Sequence, residues 1–110
     1  RKVPLIHYAK GSGHLHDEIR TLDIDAVSLD WRDDLRANRA AHGSEFAFQG
    51  NLDPSRMHGT PEAATQAARR VLDEAGQAPG HVFNLGHGFA PGAQIDCVEA
   101  VLRLITGESA

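Results

Sequence analysis

Four times along its 110 residues the chain repeats one plan: an apolar run, a polar or glycine-rich turn, then a stretch with helical spacing. The first run is residues 3–9, followed by Lys10-Gly11-Ser12-Gly13 and a short helix with Leu15, Ile19 and Leu22 on one face. Pro4 belongs near the start of that strand, where a missing ladder donor is tolerated. The second run, residues 26–29, leads through Asp30-Trp31 into a weakly patterned helix near Asp34 to His42. The third, residues 46–49, gives way to Gly50-Asn51-Leu52-Asp53-Pro54 and then to the clearest helix of the sequence. There Thr60 can cap the amino end, Pro61 fits the first turn and Gly76 can end it, while Ala64, Ala67, Ala68, Val71, Leu72 and Ala75 form one buried stripe. The fourth run begins at His81, and its helix carries Ile95, Val98, Leu102 and Ile105 before Gly107.

Strands alternating with helices predict an α/β fold with parallel strands joined by right-handed crossovers. The runs lack clean polar alternation, which predicts burial on both faces of the sheet. Four βα units suit either a small open sheet or one half of a (β/α)8 barrel, and periodicity does not separate the two. A complete barrel takes about 250 residues. The chain starts at Arg1, and its sole methionine is Met57. A piece of a longer chain is therefore expected.

Composition narrows the function classes. With 41% hydrophobic and 24% charged residues the chain is of ordinary globular make-up. No apolar run approaches the ~18 residues that a membrane span requires, and no segment has the pattern of an export signal. The cytoplasm is the expected compartment. A net charge of −4 speaks against a nucleic-acid partner. The single cysteine, Cys97, rules out an internal disulfide and any multi-cysteine metal cluster within the chain, and its neighbours Ile95, Val98 and Val101 predict a packed thiol.

The chemistry gathers in the turns that follow the four strands: Lys10 and Ser12, then Asp30 and Trp31, then Gln49, Asn51 and Asp53, then Asn84 and His87. In either parallel architecture these turns share one rim, where α/β proteins build their sites. Asp53 and Ser12 are read as turn and cap residues, and Trp31 as a packing residue. His87 stands apart, because capping does not call for an imidazole and because Gly86 and Gly88 leave room for close approach on either side. Gly11-Ser12-Gly13 lacks both the third glycine of a dinucleotide fold and the lysine ending of a P-loop. His14 and His16 enter a helix, where residues two apart diverge, so no metal is expected.

Several of these segments together resemble the carboxyl-terminal part of the uroporphyrinogen decarboxylase family. They are Val3-Pro4 through Lys10-Gly11, Leu29-Asp30-Trp31, Gln49-Gly50-Asn51-Leu52-Asp53-Pro54, and His81-Val82-Phe83-Asn84-Leu85-Gly86-His87-Gly88, in the family's order across nearly the whole chain. The resemblance implies the last four units of a (β/α)8 TIM-type barrel. It also implies cofactor-free loss of carbon dioxide from the four acetate side chains of uroporphyrinogen, giving coproporphyrinogen. His87 matches the family's substrate-contacting histidine. Asp30, Gln49, Asn51 and Asn84 are expected as rim scaffolding that hydrogen-bonds behind the site. The family's arginine-rich segment and the aspartate that engages the pyrrole nitrogens have no counterpart here. Of the cations such a polycarboxylate needs, this chain offers only Lys10 and Arg32 near the rim.

Two other readings compete. Zinc-dependent methyltransferases related to this family use a histidine and two cysteines, which one cysteine cannot supply. A half-barrel can instead act as a self-association module, burying its open strand edges against a second copy, and a homodimer is the expected closed assembly.

Overall fold

The computed structural model describes residues 3–8, 18, 22–43 and 45–107. Among them, four strands form one parallel sheet in the sequential order β1 (Ile6–Tyr8), β2 (Ala26–Ser28), β3 (Ala47–Gln49), β4 (His81–Val82). The ladder aligns Tyr8 with Ser28 and Ser28 with Gln49, and pairs Gln49 with Val82. Helix α1 (Leu35–His42) joins β2 to β3, α2 (Pro61–Ala75) joins β3 to β4, and α3 (Ile95–Thr106) follows β4. A 3-10 helix, Pro54–His58, precedes α2. The α/β class and the parallel sheet are as the sequence predicts.

Local chemistry accounts for the helix ends. Asp34 accepts from the Ala37 amide at the start of α1, and Thr60 accepts from the Ala63 amide at the start of α2, with Pro61 in its first turn. Gly107 closes α3 in the left-handed conformation and returns its amide to the Arg103 and Leu104 carbonyls. Arg39 of α1 fastens the α2–β4 connection, its guanidinium donating to the Gly80 carbonyl at 2.8 Å and the Ala78 carbonyl at 3.0 Å.

Alternation along each strand sends one set of side chains to the helices and the other set away from them. Val27, Leu29, Phe46 and Phe48 join Leu35, Ala64, Ala68, Val71, Cys97 and Val101 in one core. Full burial of a side chain such as Leu29 or Phe48 contributes about 1.5–3 kcal/mol. Cys97 sits in this core with its thiol donating to the Gly59 carbonyl at 3.4 Å, and burial pushes that thiol above its ordinary pKa. A packed cysteine is what its neighbours predict.

The opposite face differs from expectation. It carries Ile6 and Tyr8 of β1 and Val82 of β4, which are 51%, 41% and 48% exposed. The apolar run at 81–85 therefore forms an edge strand buried on one face only. Its apolar residues look alike in sequence, but α1, α2 and α3 pack to one side. Among the described strand residues of this open face, the small side chains Ala26 and Ser28, flanked by neighbouring strands, are the buried ones. Leu22, expected on a helix face, lies in a bend and is half exposed. Lys10, Ser12, His14, Leu15, His16 and Ile19 lie outside the described residues.

Candidate functional site

The open face ends in a cavity of about 500 Å³ lined by Tyr8, Ser28, Gln49, Asn84, His87 and Phe89, with Ile6 deeper along β1. The sheet register creates the cavity wall: Tyr8, Ser28 and Gln49 occupy one row at the carboxyl ends of three adjacent strands. Gln49 donates from Nε2 to the Ser28 hydroxyl at 3.1 Å, linking β3 to β2 on that row. Asn84 turns its Oδ1 back to accept from the Leu85 amide at 2.8 Å. His87 is exposed at the cavity mouth.

A strap from Leu85 to Gln94 carries His87 across the rim. Beyond β4 the chain continues in parallel with the loop after β3, through a bridge between Leu52 and Leu85 and a bond from the Gly86 amide to the Leu52 carbonyl at 2.8 Å. Its far end is held where the Gln94 amide donates to the Met57 carbonyl at 2.7 Å. Gly86 lies so close to the loop after β2 that a Cβ there would overlap the backbone nitrogen and Cα of Trp31. Only glycine fits that contact. The room expected around His87 is thus used by Gly86, whereas Gly88 meets nothing nearby. The Tyr8 hydroxyl completes the strap by donating to the Gly86 carbonyl at 3.2 Å.

Behind this row lies a charged layer. Asp30 is fully buried and grips Arg32 with both oxygens, at 2.9 Å to Nε and 2.8 Å to Nη2, while also accepting from the Arg32 amide at 3.0 Å. The carboxylate raises the pKa of the guanidinium, whose charge also lies 5.4 Å from the Trp31 ring centroid. Asn51 is buried and donates from Nδ2 to the Asp30 carbonyl at 3.0 Å and the Asp33 carbonyl at 2.7 Å, tying the β2 loop to the β3 loop. His81 binds the Gly50 carbonyl at 2.7 Å, and since a carbonyl only accepts, Nε2 carries the hydrogen. Burial pushes the Tyr8 phenol above its usual pKa, and the Asp30 carboxylate adds to the effect.

The candidate residues read from the sequence divide into two groups. His87, Gln49 and Asn84 line the cavity, whereas Asp30 and Asn51 stand behind it and hold the loops. Asp53 caps the 3-10 helix by accepting from the Ser55 amide at 2.9 Å, the role expected of it. Trp31 is 41% exposed; its backbone packs on Gly86, and its ring carries Arg32. Tyr8 and Ser28 are cavity residues that sequence reasoning missed. Their signal is register: Ser28 and Tyr8 share strand parity with Gln49, one and two strands away along the row. Among the described lining residues there is no Asp, Glu, Lys or Arg. Among the described residues no three His, Cys, Asp or Glu side chains are grouped to hold a metal ion.

A parallel sheet in sequential strand order, the described helices on one face and a cavity at the carboxyl rim define an α/β protein of the kind that builds sites from its strand-end loops. Sequence comparison makes the class specific. The chain belongs to the uroporphyrinogen decarboxylase family, whose profile matches residues 1–107. It is 41% identical over 107 residues to the protein named uroporphyrinogen decarboxylase in Magnetococcus marinus, covering 97% of this chain and 30% of that one. Its counterpart of the same name in an Azoarcus species is 50% identical over 90 residues, or 82% of this chain and 25% of the relative. The one in Coxiella burnetii is 42% identical over 105 residues, 96% and 29% respectively. The chain spans less than a third of the length of these relatives.

Proposed function

We propose that this chain supplies the carboxyl-terminal four βα units of a (β/α)8 uroporphyrinogen decarboxylase. Strand order supports the barrel: sequential parallel strands with the described helices on one face leave the other face, with Ile6 and Val82, bare and the outer sides of β1 and β4 without a strand partner among the described residues, and closing the ring covers all three. Residues 1–110 then form one half-barrel unit rather than a complete domain.

The reaction is decarboxylation of the four acetate arms of uroporphyrinogen, yielding coproporphyrinogen. Protonation of a pyrrole makes an electron sink; the carbon–carbon bond to the carboxylate breaks, its electron pair flows into the ring, and carbon dioxide leaves. Reprotonation of the methylene carbon gives a methyl group, and loss of the ring proton restores the pyrrole. The pyrrole takes the role that an organic cofactor plays elsewhere. The observation that carries the reading is His87 over the rim cavity, in a segment that matches the family. In this reading His87 contacts substrate, Gln49 and Asn84 shape the floor, and Asp30 and Asn51 brace the loops. Among the described residues the cavity lining holds no lysine or arginine, so in this reading most countercharges for eight carboxylates come from the rest of the enzyme.

Mixing the chain with a separately made amino-terminal portion tests the assignment. Decarboxylase activity is expected only in the mixture; a reassembled complex that turns nothing over would refute it. The end positions of β1 and β4 in the strand order, each with one strand partner among the described residues, favour a second reading for the chain alone, edge pairing with another copy. Size measurement decides it: a homodimer supports edge pairing and a stable monomer opposes it. The described residues contain no helix long and apolar enough to cross a membrane, and a cytoplasmic enzyme is proposed.

A further inference from the structure

We propose that Tyr8 is a positioning residue for His87, acting through the Gly86 carbonyl. The inference rests on the reading of His87 as the substrate contact, and it adds a residue that neither the family match nor the sequence motifs assign. Tyr8 stands on β1 and Gly86 lies beyond β4, at opposite ends of the sheet order, 78 positions apart in sequence. Four parallel strands are about 14 Å across, so the strap must run back over β3 and β2 to reach Tyr8. Each step of that return has a contact: the Gly86 amide on the Leu52 carbonyl, the Gly86 Cα against the Trp31 backbone, and the Gly86 carbonyl on the Tyr8 hydroxyl. The first two contacts fix the strap to the loops after β3 and β2. The third is a side-chain contact, and it is made by a residue on the cavity wall itself.

The geometry sets a division of labour. Gly86 immediately precedes His87, so the orientation of its carbonyl constrains the peptide plane from which the His87 backbone departs. With its hydrogen committed to Gly86, the Tyr8 phenol holds that plane in place. Losing the hydroxyl leaves the ring to fill the wall while freeing the plane to rotate. His87 then samples several positions over the cavity, and contacts that depend on a fixed imidazole weaken.

The test uses the isotopically labelled 110-residue chain and the substitution Tyr8→Phe, which removes only the hydroxyl. Amide hydrogen exchange at Gly86, whose N–H is bonded to the Leu52 carbonyl, is expected to rise about fivefold, the equivalent of about 1 kcal/mol for a net hydrogen bond. The His87 ring signals are expected to shift and broaden, while α2 amides keep their protection. Ile6→Ala, on the same wall without a hydrogen bond to the strap, is expected to leave His87 unchanged. Unaltered exchange and ring signals in Tyr8→Phe would overturn the proposal. So would equal effects from Ile6→Ala, or acceleration in α2 as large as in the strap, since either makes Tyr8 a general packing residue. Failure of the decarboxylase reading appears elsewhere, as absent turnover in the reassembled enzyme, and leaves these signals untouched.

Discussion

The two faces of the sheet are built from the same strands, yet one is closed and the other is bare. On the helix side Val27, Leu29 and Phe48 have no exposed surface, whereas on the other side Ile6 and Val82 keep about half of theirs. The packed face is where stability resides, because its side chains meet three helices. The open face carries the polar row Tyr8, Ser28 and Gln49, the cavity and His87. Substitutions on the two faces should therefore be read by different instruments, one by unfolding and the other by turnover.

The largest expected effect breaks the packed face. Leu29→Ala, with no exposed surface to begin with, is expected to cost about 3 kcal/mol through lost burial and a residual cavity, measured by denaturant unfolding. Ile6→Thr on the open face should change stability by less than about 0.5 kcal/mol. Equal costs at the two positions would erase the distinction between the faces. Next comes His87→Asn in the reassembled enzyme, where turnover is expected to fall about 10²-fold if the imidazole moves a proton, with the unfolding midpoint unchanged. Unfolding as the main effect would make His87 a structural residue.

Gly86→Ala tests the point where the two faces are joined. The added methyl meets the Trp31 backbone, so the strap or the β2 loop must shift, at an expected cost of about 2 kcal/mol. Exchange protection should then drop at both Trp31 and His87. Asp30→Asn removes the charge from a buried pair whose partner, Arg32, is 49% exposed. Since Arg32 can turn to solvent, the expected loss is about 1.5 kcal/mol, below that of a fully buried pair. A double-substitution cycle with Arg32→Gln isolates the pair.

The four strands, α1, α2 and α3, and their order, are legible in the sequence because each is written locally. Thr60, Pro61 and Gly76 bracket α2, and Asp34 begins the weakly patterned α1 at the expected place. The open face is illegible for the opposite reason. Val82 and Val27 are identical side chains in similar apolar runs, and only the placement of helices decides that one is buried and the other exposed. Within the site, His87 stands out because glycines frame it. Tyr8 and Ser28 do not, since each is one residue in an apolar run and they meet Gln49 only through parallel register. Asp30 and Asn51 are recognisable as polar loop residues, but their inward direction follows from Arg32 and from the carbonyls of the β2 loop.

The smallest expected effect concerns the phenol that touches both the cavity and the strap. In the folded chain burial, followed by the Asp30 carboxylate, raises the Tyr8 pKa above its unfolded value near 10. The neutral phenol is thus favoured by folding. Its contribution to stability is fully present below pH 10 and is lost as pH rises past 10 towards the folded-state value, because the unfolded chain then ionises first. Deprotonation also removes the hydrogen that Tyr8 donates to Gly86. Unfolding measured across that alkaline range should therefore show a shallow decline that Tyr8→Phe reduces, together with loosening of the His87 strap in the unsubstituted chain. A decline of the same depth in Tyr8→Phe would assign it to other groups, and the phenol would then have no electrostatic tie to the charged layer behind the cavity.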